Sequence, residues 1–128
     1  MHLVKYRYNK FNNVKTAGYD SKFEAGYAQE LELRKKAKDI KDWEAQKRIE
    51  LRVNGELITT YKIDFVVYHN DKTIEYVETK GYETYDWRLR WKLFVANFKK
   101  EIERGEVICT VEKQLSNWNY FKKYKSKK

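Results

Sequence analysis

The sequence predicts a mixed β-sheet flanked by helices, an α/β (α+β) fold with elements in the order α-β-β-β-α-β. Three observations lead there. Residues 20–38 and 82–105 repeat apolar side chains at helical spacing. Four shorter stretches alternate apolar and polar residues, or run apolar with β-branched side chains, as strands do. A chain of 128 residues with 4 Trp, 11 Tyr and 6 Phe can bury one substantial core, so 1–128 is expected to be a single domain.

In residues 1–19, Val4, Tyr6 and Tyr8 alternate with Lys5 and Arg7, which suits a short edge strand or a basic arm, and Asn12-Asn13 and Gly18 mark turns. The first helix opens at Asp20-Ser21, where Ser21 can N-cap and Glu24 completes a capping box. Phe23, Tyr27 and Leu31 form its apolar stripe, and Lys35, Lys36 and Lys38 suit the negative end of its dipole. Residues 39–46 read as a connector with Ile40 and Trp43 tucked beneath the domain. From Ile49 to Val53 the chain alternates, Asn54-Gly55 is a strong hairpin signal, and a return strand runs from Glu56 to Tyr68. That strand is longer than most, so a bend or bulge is expected near Thr59-Thr60. Thr73 to Gly81 follows as a third strand. The second helix, opened by Thr84 or Asp86, carries Trp87, Trp91, Phe94, Phe98 and Ile102 as a core stripe and closes at Gly105 in the C′ position. Residues 106–111 form a buried strand, placed by the preceding helix for a parallel crossover from the third.

The net charge of +9 is not spread evenly. Residues 1–19 hold four Lys/Arg and no acid, and residues 113–128 hold six Lys and no acid. The basic arm and the basic tail, the latter with Trp118, Tyr120, Phe121 and Tyr124, suit contact with a nucleic-acid backbone, each neutralised phosphate releasing counterions. Solubilising ends are the plainer reading. The one cysteine, Cys109, excludes an internal disulfide and, with only His2 and His69, a zinc cluster; it is expected to be inert core. No long apolar run or signal-peptide pattern stands in the sequence, so a cytoplasmic protein with no membrane contact is expected.

The chemistry concentrates on two neighbouring strands. Asp64 interrupts the apolar run Ile63-x-Phe65-Val66-Val67, where an uncompensated carboxylate is costly, and Glu78-x-Lys80 stands at the end of the next strand. Hydrolysing a phosphodiester needs an activated water and relief of charge on the phosphoryl oxygens, which Mg²⁺ held by one or two carboxylates supplies. Lys80, two residues after Glu78, shares its face and can orient water or stabilise developing charge. Residues directly opposite in an antiparallel pair share a face, so Asp64 and Glu78 cooperate most simply if paired residue numbers sum to 142. This demands an odd-numbered loop, such as Asn70-Asp71-Lys72, or a bulge before Asp64.

Taken in order, Asp20-Ser21-Lys22-x-Glu24-Ala25, Gln46, Ile63-Asp64-Phe65, Val77-Glu78-x-Lys80-Gly81 and Asp86-x-Arg88-x-x-x-Lys92-Leu93-Phe94 resemble the PD-(D/E)XK nuclease superfamily, whose fold is restriction-endonuclease-like. Within it the chain is similar to small phage-encoded nucleases and Holliday-junction resolvases. Ile63 stands where the superfamily often has Pro, and Lys47 where the phage proteins often do; neither change removes a ligand. The resemblance implies metal binding by Asp64, Glu78 and the backbone carbonyl of Thr79, with Lys80 as the catalytic lysine. Glu24 would complete the site, directly or through water, with Mn²⁺ able to replace Mg²⁺. It implies no small-molecule cofactor, DNA as partner in branched or duplex form, and a homodimer if four-way junctions are cut.

Other roles compete for several of these residues. Glu24 can be a helix cap, and Glu30, in the same arc, is the reserve acid. Arg88 and Lys92 suit phosphate contacts or an exposed helix face paired with Glu83 or Asp86. Gln46, Lys122, Lys123 and Lys125 are further candidates for DNA contact. His69 is expected to be a solvated turn residue. Two readings without catalysis stand beside the nuclease: a nucleic-acid-binding module, and a structural phage protein whose buried Asp, Glu and Lys form an ion network.

Overall fold

The computed structural model describes residues 4–9 and 21–114. Its elements are β1 (Val4–Asn9), α1 (Lys22–Lys36), β2 (Asp42–Val53), β3 (Glu56–Tyr68), β4 (Ile74–Lys80), α2 (Tyr85–Asn97), α3 (Lys99–Glu103) and β5 (Val107–Gln114). The five strands form one mixed sheet in the order β1-β5-β4-β3-β2. The α1 helix packs on one face through Tyr27, Ala28 and Leu31 against Phe65, Val67 and Val77. The other face carries α2, whose Trp87, Trp91, Phe94 and Val95 meet Tyr61, Ile63, Val66, Tyr76, Cys109 and Val111. Trp87, Trp91 and Phe94 stack in succession, with ring centroids 5.9 Å and 5.2 Å apart. Deleting one such ring is worth about 3–5 kcal/mol.

The fold class is as expected, with three differences in its elements. Residues 4–9 take the edge-strand alternative, pairing parallel with β5, Val4 opposite Cys109, which adds a strand to the expected order and builds part of the basic arm into the sheet. β2 begins at Asp42, not Ile49, and most of the expected connector is strand: Trp43 pairs with Val67 and Ala45 with Phe65, which supplies the long return strand with a partner along its length. The second helix is two segments broken at Phe98 (φ −110°, ψ 14°). Asn97, just before the break, has its side chain engaged: Nδ2 donates to Leu93 O at 2.9 Å and Oδ1 accepts from the Arg52 N–H at 2.8 Å.

Local signals are realised where they were read. Ser21 caps α1, its Oγ accepting from the Glu24 N–H at 3.0 Å, and Thr84 caps α2 in the same way through the Trp87 N–H at 3.1 Å. Asn54 and Gly55 both have positive φ, 51° and 84°, as a type I′ hairpin turn requires, and Gly105 at 75° ends α3. The bulge on β3 falls at Ile58, where Leu51 pairs with Thr59 but Arg52 pairs with Leu57. His69 N–H donates to Thr73 O at 3.0 Å and encloses Asn70-Asp71-Lys72, an odd-numbered loop with Lys72 left-handed at φ 75°. The β3–β4 register follows from it: Phe65 pairs with Val77 and Val66 with Tyr76, the 142 register.

Candidate active site

One irregularity crosses two strands and takes the acid out of their alternation. Tyr61 and Ile63 belong to the α2-side core, whereas Phe65 and Val67 belong to the α1-side core, though a strand of strict period two would keep all four on one face. β2 reverses at the same level, Ile49 and Leu51 packing on the α2 side and Trp43 and Ala45 on the α1 side. Pairing is unshifted across the reversal, Ala45 with Phe65 and Lys47 with Ile63. Between them lie Asp64 and, across from it, Gln46 in the left-handed region at φ 55°.

Asp64 leaves the alternation here, and its carboxylate turns toward β4. The β3–β4 pairing runs no further in this direction than Phe65 and Val77. Beyond it Asp64 Oδ2 accepts from the Thr79 backbone N–H at 2.8 Å and from Thr79 Oγ1 at 2.9 Å. A side-chain oxygen thus stands in for a ladder carbonyl, and Asp64 is only 8% exposed.

Glu78 is 5% exposed. Burial, reinforced by the Asp64 charge, holds its carboxyl well above the ordinary carboxylate range, while Lys80 and hydrogen bonding from Tyr61 and the Asp64 backbone act in the other direction. Glu78 Oε1 has no hydrogen-bond partner among the described residues. Tyr61 is held in turn: Trp87 Nε1 donates to its hydroxyl at 2.9 Å, and the Arg90 guanidinium lies 5.4 Å from its ring centroid. Lys80 is half-buried, its Nζ 5.0 Å from the centroid of the Trp87 ring, where the cation meets the π-face. Beside it in the β4–β5 register stands Lys113, buried and paired with Glu83 in the link to α2.

The arrangement is two acids buried side by side, an orphaned oxygen, and a lysine on the same strand as one of them. A family model matches residues 3–114, nearly the whole chain. The chain belongs to the DUF1064 family of proteins of unknown function. No curated protein and no solved structure matches it.

The remaining candidates of this DUF1064 chain are dispersed. Glu24 is buried in the first turn of α1, and the cap is its backbone N–H on Ser21. Among the described residues no three His, Cys, Asp or Glu are grouped to hold a metal, so Glu24 does not join Asp64 and Glu78 in such a set. Glu30 is paired with Arg34 one turn on, at 3.4 Å. Arg88 and Lys92 lie exposed on the outer side of α2 with Tyr85 and Leu89, and Glu83 is taken by Lys113 rather than by either of them. His69 differs from the solvated turn residue expected: it closes the loop, and its Nε2 lies 2.8 Å from Glu75 Oε1. Cys109 is buried, and burial pushes its thiol up to about 12. Lys122, Lys123, Lys125 and the C-terminal aromatic residues lie outside the described residues, as do Asn12-Asn13 and Gly18.

Sequence reasoning missed Tyr61, Arg90 and Lys113, gave Glu83 to Arg88 or Lys92 rather than to Lys113, and left Trp87 wholly to the core. Only Lys113 carried a signal, as a cation ending an apolar strand. It missed a second polar centre too. Arg7 donates to Glu75 Oε2 at 2.7 Å and pairs with Glu112, while Thr110 Oγ1 also donates to Glu75. Among the described residues no helix is long and apolar enough to cross a membrane.

Proposed function

We propose that this chain is a Mg²⁺-dependent DNA endonuclease of the PD-(D/E)XK kind. The observation that carries the reading is the convergence of Asp64 and Glu78 where the sheet opens, both buried, with Glu78 Oε1 lacking a hydrogen-bond partner among the described residues. Adjacent carboxylates repel, and a divalent cation between them removes that repulsion while giving the orphaned oxygen a partner. Two carboxylates fit Mg²⁺, which binds through one or two acids and keeps several waters; the Thr79 carbonyl is a further donor in this proposal. Mn²⁺ is expected to substitute.

The ion, when bound, supplies a water of lowered pKa and draws charge from the phosphoryl oxygens. The protein's own groups do the rest. The Thr79 N–H and hydroxyl hold Asp64 in place, leaving it little freedom to lose on binding. Tyr61, anchored by Trp87, aims the Glu78 carboxyl. Lys80 provides a cation for the charge that builds as water adds to phosphorus and the ester P–O bond breaks, the leaving oxygen taking a proton. Arg90 places a second cation near Tyr61 for the scissile strand.

Incubation with supercoiled, linear and four-way-junction DNA, with and without Mg²⁺ or Mn²⁺, tests the proposal. Metal-dependent cuts are expected, and paired symmetric cuts across the junction would report a homodimer. An Asp64→Ala protein that cuts as well as the parent would overturn the reading. Binding without cutting would leave a DNA-binding module.

A further inference from the structure

The outer side of α2 has no role in the chemistry above, yet its composition is not that of an ordinary solvated helix face. Tyr85, Arg88, Leu89 and Lys92 line a shallow groove of about 110 Å³. Their spacing of three and four places them on one stripe, away from the Trp87 and Trp91 that face the sheet. Tyr85 is 82% exposed and Leu89 61%, and Tyr82, in the link from β4, is also 82% exposed. Apolar side chains exposed together, rather than singly, are what mark an interaction surface, and Tyr85 and Leu89 share one groove.

The lining selects among occupants. The groove is well below the roughly 300–1,000 Å³ of sites that enclose a small molecule, so it suits something passing across it. The charged residues lining it are both cations; of the nearby acids, Glu83 is occupied by Lys113 and Asp86, exposed in the first turn of α2, is not part of the lining. Cations alternating with an exposed ring and an aliphatic side chain match a polyanion that also offers flat apolar faces. Such faces are stacked away inside a duplex but available in unpaired nucleotides. Five peptide units separate Lys80 from Tyr85, which bounds their Cα separation at about 18 Å, roughly five steps of stacked nucleotides.

We propose that Tyr85 and Leu89, flanked by Arg88 and Lys92, form a stacking platform for unpaired DNA nucleotides next to the cleavage site. This rests on the nuclease reading for its consequence, selection of DNA with a single-stranded segment such as a flap, gap or fork, but not for the binding itself. The cations hold the phosphates and the Tyr85 ring takes a base.

The experiment measures fluorescence anisotropy of the full chain in EDTA with an oligo-dT strand, a duplex of equal length, and that duplex carrying an oligo-dT overhang. The parent should prefer the two single-strand-bearing DNAs. Tyr85→Ala should weaken them about fivefold or more and leave the duplex unchanged, while Tyr85→Trp should restore binding. Tyr85 is largely exposed, so neither change threatens the fold. Equal loss on all three DNAs, no loss on any, failure of Tyr85→Trp to restore, or a parent that binds none of them would overturn the platform. Cleavage is read separately with Mg²⁺. Ring-dependent binding without cutting would keep the platform and remove the nuclease, and cutting that ignores Tyr85 would do the reverse.

Discussion

Two pairs of buried acids sit on the central strands of this sheet, and the protein treats them in opposite ways. Glu75 and Glu112, on the α1 side, share Arg7: their side chains are 4% and 1% exposed, and the guanidinium reaches both. Burial alone would raise both carboxyls. For Glu75 the Arg7 charge, Thr110 and His69 outweigh it and hold the carboxyl below its ordinary value; Glu112 stays raised, because Glu75 adds to its burial. At the Asp64–Glu78 pair the cation acting on Glu78 is Lys80, and the Glu78 carboxyl still stays well above its ordinary value. The first pair is compensated from within and ties an N-terminal strand to the core. In the second, Glu78 stays raised and its Oε1 has no hydrogen-bond partner among the described residues, and this asymmetry separates a structural network from a candidate reactive centre in one sheet.

The largest effect should come from breaking the second pair. Glu78→Gln is expected to lower metal-dependent cleavage by about 10²–10³-fold or more. The same change should stabilise the metal-free protein. Folded Glu78 keeps its proton above the ordinary value of 4.5 at which the unfolded chain releases it, so the folded state binds more protons in that window. Metal-free stability therefore falls as pH rises through it, and Glu78→Gln should flatten that fall in thermal melts between pH 5 and 9. A variant less stable than the parent at alkaline pH without metal would remove the contrast.

Breaking the first pair should do the converse. Arg7→Ala leaves two buried acids facing each other; removal of one partner from a fully buried pair costs about 3–5 kcal/mol, discounted here to about 2 because the Arg7 side chain is 36% exposed. Urea denaturation checks this, and cleavage per folded molecule should be unchanged. The stability that Glu75 contributes is present above its unfolded value of 4.5 and is lost as pH falls through its lowered one.

Mg²⁺ should sharpen the comparison by a smaller amount. At ten times its dissociation constant it should stabilise the parent by about 1.4 kcal/mol, leave Arg7→Ala with the same increment, and do nothing for Glu78→Gln. Equal shifts in all three would mean that the ion binds elsewhere.

The smallest effect concerns the strand across from Asp64. A left-handed conformation disfavours residues with a Cβ by about 1–2 kcal/mol, and glycine's greater unfolded-state freedom offsets part of the relief. Gln46→Gly should thus stay within about 1 kcal/mol of the parent in urea titrations, while Gln46→Val should lose more. Equal stability of the two variants would show that φ 55° imposes no strain there.

Local chemistry was legible. Asn54-Gly55, Ser21, Thr84 and Gly105 were readable because turns and caps depend on a few neighbouring residues, and the odd-numbered loop at 70–72 carried the register that brings Asp64 beside Glu78. Nothing local revealed the role of Arg7, since its acid partners lie more than sixty residues away and a lone cation looks the same in an arm as in an edge strand. The reversal at Gln46 and Asp64 was hidden for a related reason: β3 alone shows uninterrupted apolar spacing at Tyr61, Ile63, Phe65 and Val67, β2 breaks its own only at Lys47, and only tertiary packing shows that the spacing changes faces. Tyr61 and Trp87 read as core because their rings are core; what marks them otherwise is a hydroxyl and an indole N–H at one end.

By itself, then, the sequence determined the mixed sheet with its flanking helices, the turn chemistry and the pair of acids worth examining, because periodicity and hairpin closure are short-range. Tertiary structure decided which buried acids Arg7 compensates. Electrostatic compensation depends on distances between strands far apart in the chain, and one guanidinium reaching both Glu75 and Glu112 makes that pair scaffold, a role no local pattern around Arg7 announces.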